Sequence, residues 1–257
     1  MNTPRPADPP VPSNDFLRYL EGRGTTRDFK PDPIPDAWVD ALCAAGQRAS
    51  TSSNMQAYSI IVVKDPETKR QLAELGNNQK HIADCPVFMA FVADLTHPMS
   101  ASATQGKTFR GTTLESCLLA AIDAALVGQT VQLAAGTMGL GSVMIGAMRN
   151  HPLEVARVLK LPKRAFVVFG LCLGWPKTPW RAKPRLSPEM VVHREFYDAD
   201  KRAPYIAEYD VRLADFYRSQ GRATPDAGWT GPIAEKFESA QRPRLKGELH
   251  EMGFELE

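Results

Sequence analysis

Between Gln47 and Val63 the chain reads QRASTSSNMQAYSIIVV, with hydrogen-bonding side chains at Ser50, Thr51, Ser52, Ser53, Asn54 and Gln56. A connection between elements needs one or two turn residues. A run of this kind therefore carries spare donors and acceptors, suited to holding a polar ligand through many bonds at once. A second set lies in EGRGTTRDF, where Arg23, Thr25 and Arg27 alternate and so share one face of an extended segment. Two guanidiniums flanking a hydroxyl make an anion or phosphate clamp, although solvated surface arginines would read the same way. RAKPRL places Lys183 and Arg185 on one side of a proline-stiffened stretch. GLGSVMIG resembles a dinucleotide-binding glycine loop only in composition, since a helical pattern precedes it and a strand pattern follows. His81, His151 and His193 stand without a nucleophile motif or a carboxylate at fixed spacing, and no HExxH, P-loop or paired-carboxylate pattern occurs. If the chain is an enzyme, its reactive group comes from a cofactor.

These residues need elements to position them. Asp15 to Leu20 reads as a short helix stopped by Gly22 and Gly24, and IPDAWVDALCAAGQRA as an amphipathic helix with Asp36 as N-cap. YSIIVVKD is a strand rich in β-branched residues. DPETKRQLAELG follows as a helix capped by Asp65, with Pro66 as its first residue. CPVFMAFVADL and FVVFGLCLGWP have the continuous apolar character of strands covered on both faces. Between them, Thr113 to Met138 predicts a long helix that is apolar nearly all round, with Gly139 as its C-cap. Such a helix must be covered on all sides, and a partner subunit is the economical cover. VMIG predicts a short strand, where Gly146 and Ala147 let the backbone approach a flat ligand. HPLEVARVLKL predicts a helix capped by Asn150. Two polar helices are expected near Ala203 to Ser219 and Pro232 to Ser239. The pattern is an α/β sandwich of few strands with a dominant central helix and a C-terminal extension.

Composition narrows the classes further. The 257 residues suffice for one sizeable domain, and a formal charge of +2 gives no overall drive toward nucleic acid or anionic membrane. Cys43, Cys85, Cys117 and Cys172 are dispersed among apolar neighbours without ligand spacing, which reads as buried free thiols in a reducing compartment, with no metal site. Residues 1–13 are proline-rich and lack the apolar core of a signal peptide, so they are expected to form a flexible leader to a domain over 14–257. The uncharged stretch from Ala124 to Met148 could span a membrane by length, but Gln129, Gln132 and its glycines favour a buried helix, with Asp123 at its edge. A cytoplasmic location is expected.

In this order, RGTTRDF, STSSNMQAYSIIVV, NNQKHIADCPVFMAFVADL, VQLAAGTMGLGSVMIGAMRN and FGLCLGWPKTPWRAKPRL resemble the flavin-dependent nitroreductase family. The likeness is strongest to its oxygen-insensitive NADPH nitroreductase (group A) and flavin reductase P branch, and runs from about Asp15 to the C-terminus. It implies a central mixed sheet flanked by helices, a long helix in a homodimer interface, and a C-terminal arm from about residue 178. It also implies FMN as cofactor and NADPH as reductant. By the same resemblance Arg23, Thr25, Lys183 and Arg185 hold the FMN phosphate, while Arg27 lies near the ribityl chain and the N1/O2 edge. Ser50, Thr51, Ser52, Ser53 and Asn54 cradle the flavin from the opposite subunit, and Gln56 and Gln79 lie beside it. The backbone at Ile145, Gly146 and Ala147 approaches N5. NAD(P)H and then nitroaromatics, quinones or related acceptors use the same flavin face in a ping-pong order, with no dedicated acid or base.

Two segments depart from the branch. The region that selects NADPH reads YRSQGRATPDAGW, where Arg222, with Arg218 as fallback, would meet the 2′-phosphate. THPMSASATQGKTFRGT is long for the rim of the site. The competing readings are a flavin, azo or chromate reductase on the same FMN site, a non-catalytic flavin-binding dimer, and a plain α/β interaction module.

Overall fold

The computed structural model describes residues 12–221 and 228–256 of the 257-residue chain. Most of the expected leader lies outside the described residues, as do Arg222 and Pro225. The first helix, α1 (Asp15–Gly22), is opened by Asn14, whose side chain accepts from the Leu17 N–H. α2 (Asp36–Gly46) buries Val39 and Leu42. Its N-cap is Pro35, which corrects the expectation for Asp36: that residue is the first of the helix, and its carboxylate pairs with Lys64. β1 (Tyr58–Val63) leads to α3 (Pro66–Leu75), where the Asp65 carboxylate accepts from the Thr68 N–H at 2.7 Å as a true cap.

After α4 (Lys80–Asp84) comes β2 (Val87–Asp94), buried at every residue. The long rim segment folds into α5 (Thr96–Thr104). α6 (Leu114–Thr137) is capped by Thr113 and ends on Met138, and Gly139 beyond it takes the left-handed backbone (φ +80°) that a turn out of a helix requires. β3 (Gly141–Ile145) and one 3-10 turn precede α7 (Pro152–Val158). His151 is the N-cap of α7, and Asn150 is drawn away to Asn77 and Arg242, which corrects the expected cap. β4 (Ala165–Gly174) completes the sheet. The C-terminal part holds α8 (Pro188–Val191), α9 (Arg202–Arg218), α10 (Thr230–Phe237) and α11 (Leu245–Glu251).

The sheet runs β1-β2-β4-β3. Helices and a covered sheet are as expected, but the sheet is not mixed: each of its three pairings is antiparallel. Each helical excursion returns the chain in the opposite sense to its new neighbour, so no parallel pair forms among the described residues. Successive side chains of β2 point to opposite faces. Phe88, Ala90 and Val92 join a core with Leu72, Met148 and Val155, while Val87, Met89 and Phe91 join a core with α2 and α6. Cys85, Cys117 and Cys172 are buried free thiols, whereas Cys43 is partly exposed on α2 because its helix face borders a cleft.

α6 is long and apolar enough to cross a membrane by length and hydropathy. One side of it lies on the sheet through Ala124, Val127, Val131 and Ala135. The other side exposes Leu114 (48%), Leu118 (50%), Ile122 (57%) and Leu126 (44%), four residues apart and hence one continuous stripe. The chain end returns to the core. The Arg164 N–H donates to the Met252 carbonyl at 2.7 Å, and buried Phe254 packs edge-on against Phe166.

Candidate functional site

The hydroxyl-rich segment is a loop between α2 and β1 whose conformation is unusual. Ser53, Asn54 and Gln56 all have left-handed backbone, with φ of 47°, 55° and 51°. L-residues other than glycine avoid this region, at a cost of roughly 1–2 kcal/mol each. The loop is held from α6. Fully buried Asp123 accepts the Ser52 N–H on Oδ1 at 2.9 Å and the Ala57 N–H on Oδ2 at 3.2 Å. Among the described residues, none of the hydroxyls of Ser50, Thr51, Ser52 and Ser53 has a protein partner, and Gln56 reaches only Asn54. Asn54 and Gln56 line a cleft of about 760 Å³ with Cys43 of α2, Gln47 just after it and His97 of α5.

The arginine-rich segment and the proline-stiffened segment are far apart in sequence and adjacent in space. The Thr26 N–H donates to the Ser142 carbonyl at 3.0 Å, and the Lys30 N–H donates to Trp175 at 2.8 Å. The Lys177 N–H reaches Asp28 at 3.1 Å. Residues 24–30 therefore lie along residues 175–181, and a Cβ on Gly24 would strike the Arg181 carbonyl at 2.7 Å. The alternation is partly kept. Thr26 is buried, Thr25 and Arg27 are exposed, and Arg23 turns inward to donate to Gln132 Oε1 at 2.5 Å. Lys183 meets the Tyr217 hydroxyl and lies 4.8 Å over its ring. The carbonyl of Arg185 is held by Arg212 at 2.5 Å, leaving the exposed Arg185 guanidinium pointing out from a fixed backbone. Backbone bonds tie Thr26, Asp28 and Lys30 to Ser142, Lys177 and Trp175, and the proline-stiffened segment comes alongside where Gly24 meets Arg181.

A second cleft of about 640 Å³ gathers Gln79, Gly146, Ala147, Arg242 and Arg244. Gln79 is positioned by donation to the Gly76 carbonyl at 2.8 Å. Arg242 donates to the Gly146 carbonyl at 3.3 Å and to Asn150 at 3.0 Å. Burial, then the charge of Arg242, lowers the Arg149 pKa, and both guanidiniums lie within 4 Å of a Cβ built on Gly146. Burial, then the charge of Arg27, lowers the His81 pKa. Ile145 is buried at the strand end behind Gly146. Arg218, at the end of α9, is paired with Asp215 at 2.9 Å, and Arg222 lies outside the described residues.

The single chain thus brings Gln79, Ile145, Gly146 and Ala147 together. The hydroxyl-rich loop lines a different cleft. Asp123, Arg149 and Arg242 were not read as site residues. Asp123 acts on backbone amides, and Arg242 comes from a tail whose path no local pattern reveals.

This donor set fits FMN. A Cβ placed on Gly146 would meet nothing nearer than 3.5 Å, from Arg149, so this backbone lies open to a flat ring. The cleft has a volume usual for a cofactor site. Cations suit the phosphate, and the uncommitted hydroxyls and amides suit a polyol chain and a ring edge.

Two family models cover the chain: the nitroreductase family over residues 20–175, and the nitroreductase family C-terminal domain over residues 183–257. The chain is 36% identical over 241 residues to an oxygen-insensitive NADPH nitroreductase of Salmonella typhimurium, covering 93% of this chain and 97% of that one. It is 32% identical to an FMN reductase [NAD(P)H] of Bacillus subtilis over 95% and 99% of the two chains. The solved structure of B. megaterium NfrA2 superposes with a TM-score of 0.92 at 32% identity, covering 95% of this chain and all (100%) of that one.

Proposed function

The chain belongs to the nitroreductase family, and from that membership we propose that it works as an FMN-dependent NAD(P)H oxidoreductase on nitroaromatics, quinones or related acceptors. The similarity to an NADPH nitroreductase and an FMN reductase, each matched over nearly its whole length, carries this reading. Bound FMN supplies hydride-accepting and hydride-donating chemistry, used by NAD(P)H and the oxidant in ping-pong order. The protein's part is to hold, orient and shield. Arg23, Thr25, Lys183 and Arg185 supply charge and hydroxyl for the phosphate, with Arg23 held by its bond to Gln132. Gln79 and the open backbone from Ile145 to Ala147 border the ring, and Arg27 offers positive charge to its N1/O2 edge. Arg242 and Arg244 give that cleft positive charge, which favours the negative charge an acceptor takes on as it is reduced.

The functional unit is a homodimer. Support comes from the split of the site. Asn54 and Gln56 border one cleft of a chain, Gln79, Gly146 and Ala147 another, and the apolar stripe of α6 flanks Asp123, which holds the loop. A second copy seated on the stripe brings one chain's loop to the other's cleft. We take residues 14–257 as one FMN domain with its arm from about 178, a division supported by the gap between the two matched segments. The free cysteines suit a reducing cytoplasm.

The test is steady-state kinetics of the FMN-loaded protein with NADPH against a panel of nitrofurans, quinones, free flavin, an azo dye and chromate. Parallel double-reciprocal lines with the preferred acceptor are expected. Turnover of none of them would leave a non-catalytic flavin-binding dimer.

A further inference from the structure

We propose that Asp123 is the positioning residue for the flavin-facing loop, imposing its left-handed conformation from the helix that forms the subunit seam. The proposal rests on the FMN reading of that loop. Its two carboxylate oxygens take one amide each, Ser52 and Ala57, and so bracket residues 53–56, which include all three left-handed residues. Bonds from backbone N–H groups to a carboxylate are among the stronger hydrogen bonds. The far end of the bracket is anchored again, because the Ala57 carbonyl accepts the Asp94 N–H at 3.0 Å and Ala57 is fully buried.

The alternative is that Asp123 merely stabilises the fold. Its setting argues against this. It lies fully buried among Ala120, Ala124 and Val127, where an apolar residue would suit the helix and leave no charge to desolvate. What an apolar residue could not do is hold two amides 5 residues apart in sequence at fixed positions. Ile122, its neighbour, is the most exposed residue of the apolar stripe, so subunit contact and loop shape meet on one turn of α6.

The experiment compares wild type with Asp123→Asn, which keeps one acceptor and turns an NH₂ toward the other amide. FMN affinity is measured on folded apoprotein by flavin fluorescence quenching, and amide hydrogen exchange at Ser52 and Ala57 is followed without FMN. The variant should bind FMN about tenfold more weakly or worse, the loss of one bond to a charged acceptor. Exchange at one or both amides should quicken by a similar factor. A folded variant with wild-type FMN affinity and unchanged exchange overturns the proposal. If the variant does not fold, wild-type exchange decides. Ser52 and Ala57 should be protected like the α6 amide of Val127, and exchange as fast as that of Ser53 overturns the clamp. Wild-type apoprotein that takes up no FMN would sink the flavin reading itself, a result visible without any variant.

Discussion

The α2–β1 loop and the C-terminal arm contribute to the same proposed site, yet they are held in opposite ways. The loop is short, strained and fastened to a buried carboxylate on the central helix. The arm is long and, before its last residues return to the core, is fastened at its surface. α9 buries only Tyr209 and Leu213, and the Tyr209 hydroxyl donates to the Pro184 carbonyl at 3.0 Å. Asp210 accepts the Trp229 and Thr230 N–H groups at 2.5 and 2.8 Å, which fixes the start of α10. Phe196, Tyr197 and Phe237 stay largely exposed. The contrast assigns cofactor geometry to the part that cannot move without disturbing the core, and nucleotide or acceptor choice to a part that can change without unfolding it.

The largest effect should come from the helix under the loop. Replacing Leu118 and Ile122 with Glu puts two charges into the apolar seam. Sedimentation should show a monomer, with dimer affinity down by roughly a hundredfold or more, about 2.7 kcal/mol. FMN retention should fall with it, because the loop is then parted from the cleft it completes. A stable FMN-loaded monomer would erase the contrast between loop and arm.

Arg185→Ala lies near the start of the arm and should act less broadly. FMN affinity should fall tenfold to about a hundredfold, the value of a charge-assisted bond. Turnover in saturating FMN should stay near wild type, since a phosphate contact does not touch the ring. Unchanged FMN affinity would remove Arg185 from the phosphate clamp.

The smallest effect is expected on the arm itself. Arg218→Ala should lower the ratio of kcat/KM for NADPH to that for NADH only a few-fold, because its exposed pair with Asp215 already competes for the charge. The ratio should also shrink as salt rises. Arg222→Ala goes through the same assay, and if neither substitution lowers the ratio, selection of the 2′-phosphate lies elsewhere.

The same contrast explains how far the sequence could be read. The strands were legible because a sheet covered on both faces needs unbroken apolar runs, and β2 and β4 are such runs. Thr113 to Met138 announced a long helix and a need for cover, and the structure leaves Leu118 and Ile122 bare on that side. Caps were less legible. Asp65 caps α3, but Asp36 and Asn150 have better partners in Lys64 and Arg242, which local sequence does not reveal. Asp123 was hidden for a related reason: its partners are backbone amides of a loop 66 to 71 residues away, and amides carry no sequence signal. The rim segment was legible only as an unusual length, because its Ser, Thr and Pro content masks α5.

The most direct test is the visible spectrum of the purified protein, taken anaerobically before and after one equivalent of NADPH per flavin. A yellow protein carrying about one FMN per chain, its 450 nm band bleached by NADPH and restored by a nitrofuran or quinone, is the predicted result. A colourless protein that takes up no added FMN, or a bound flavin that NADPH does not bleach, would contradict it.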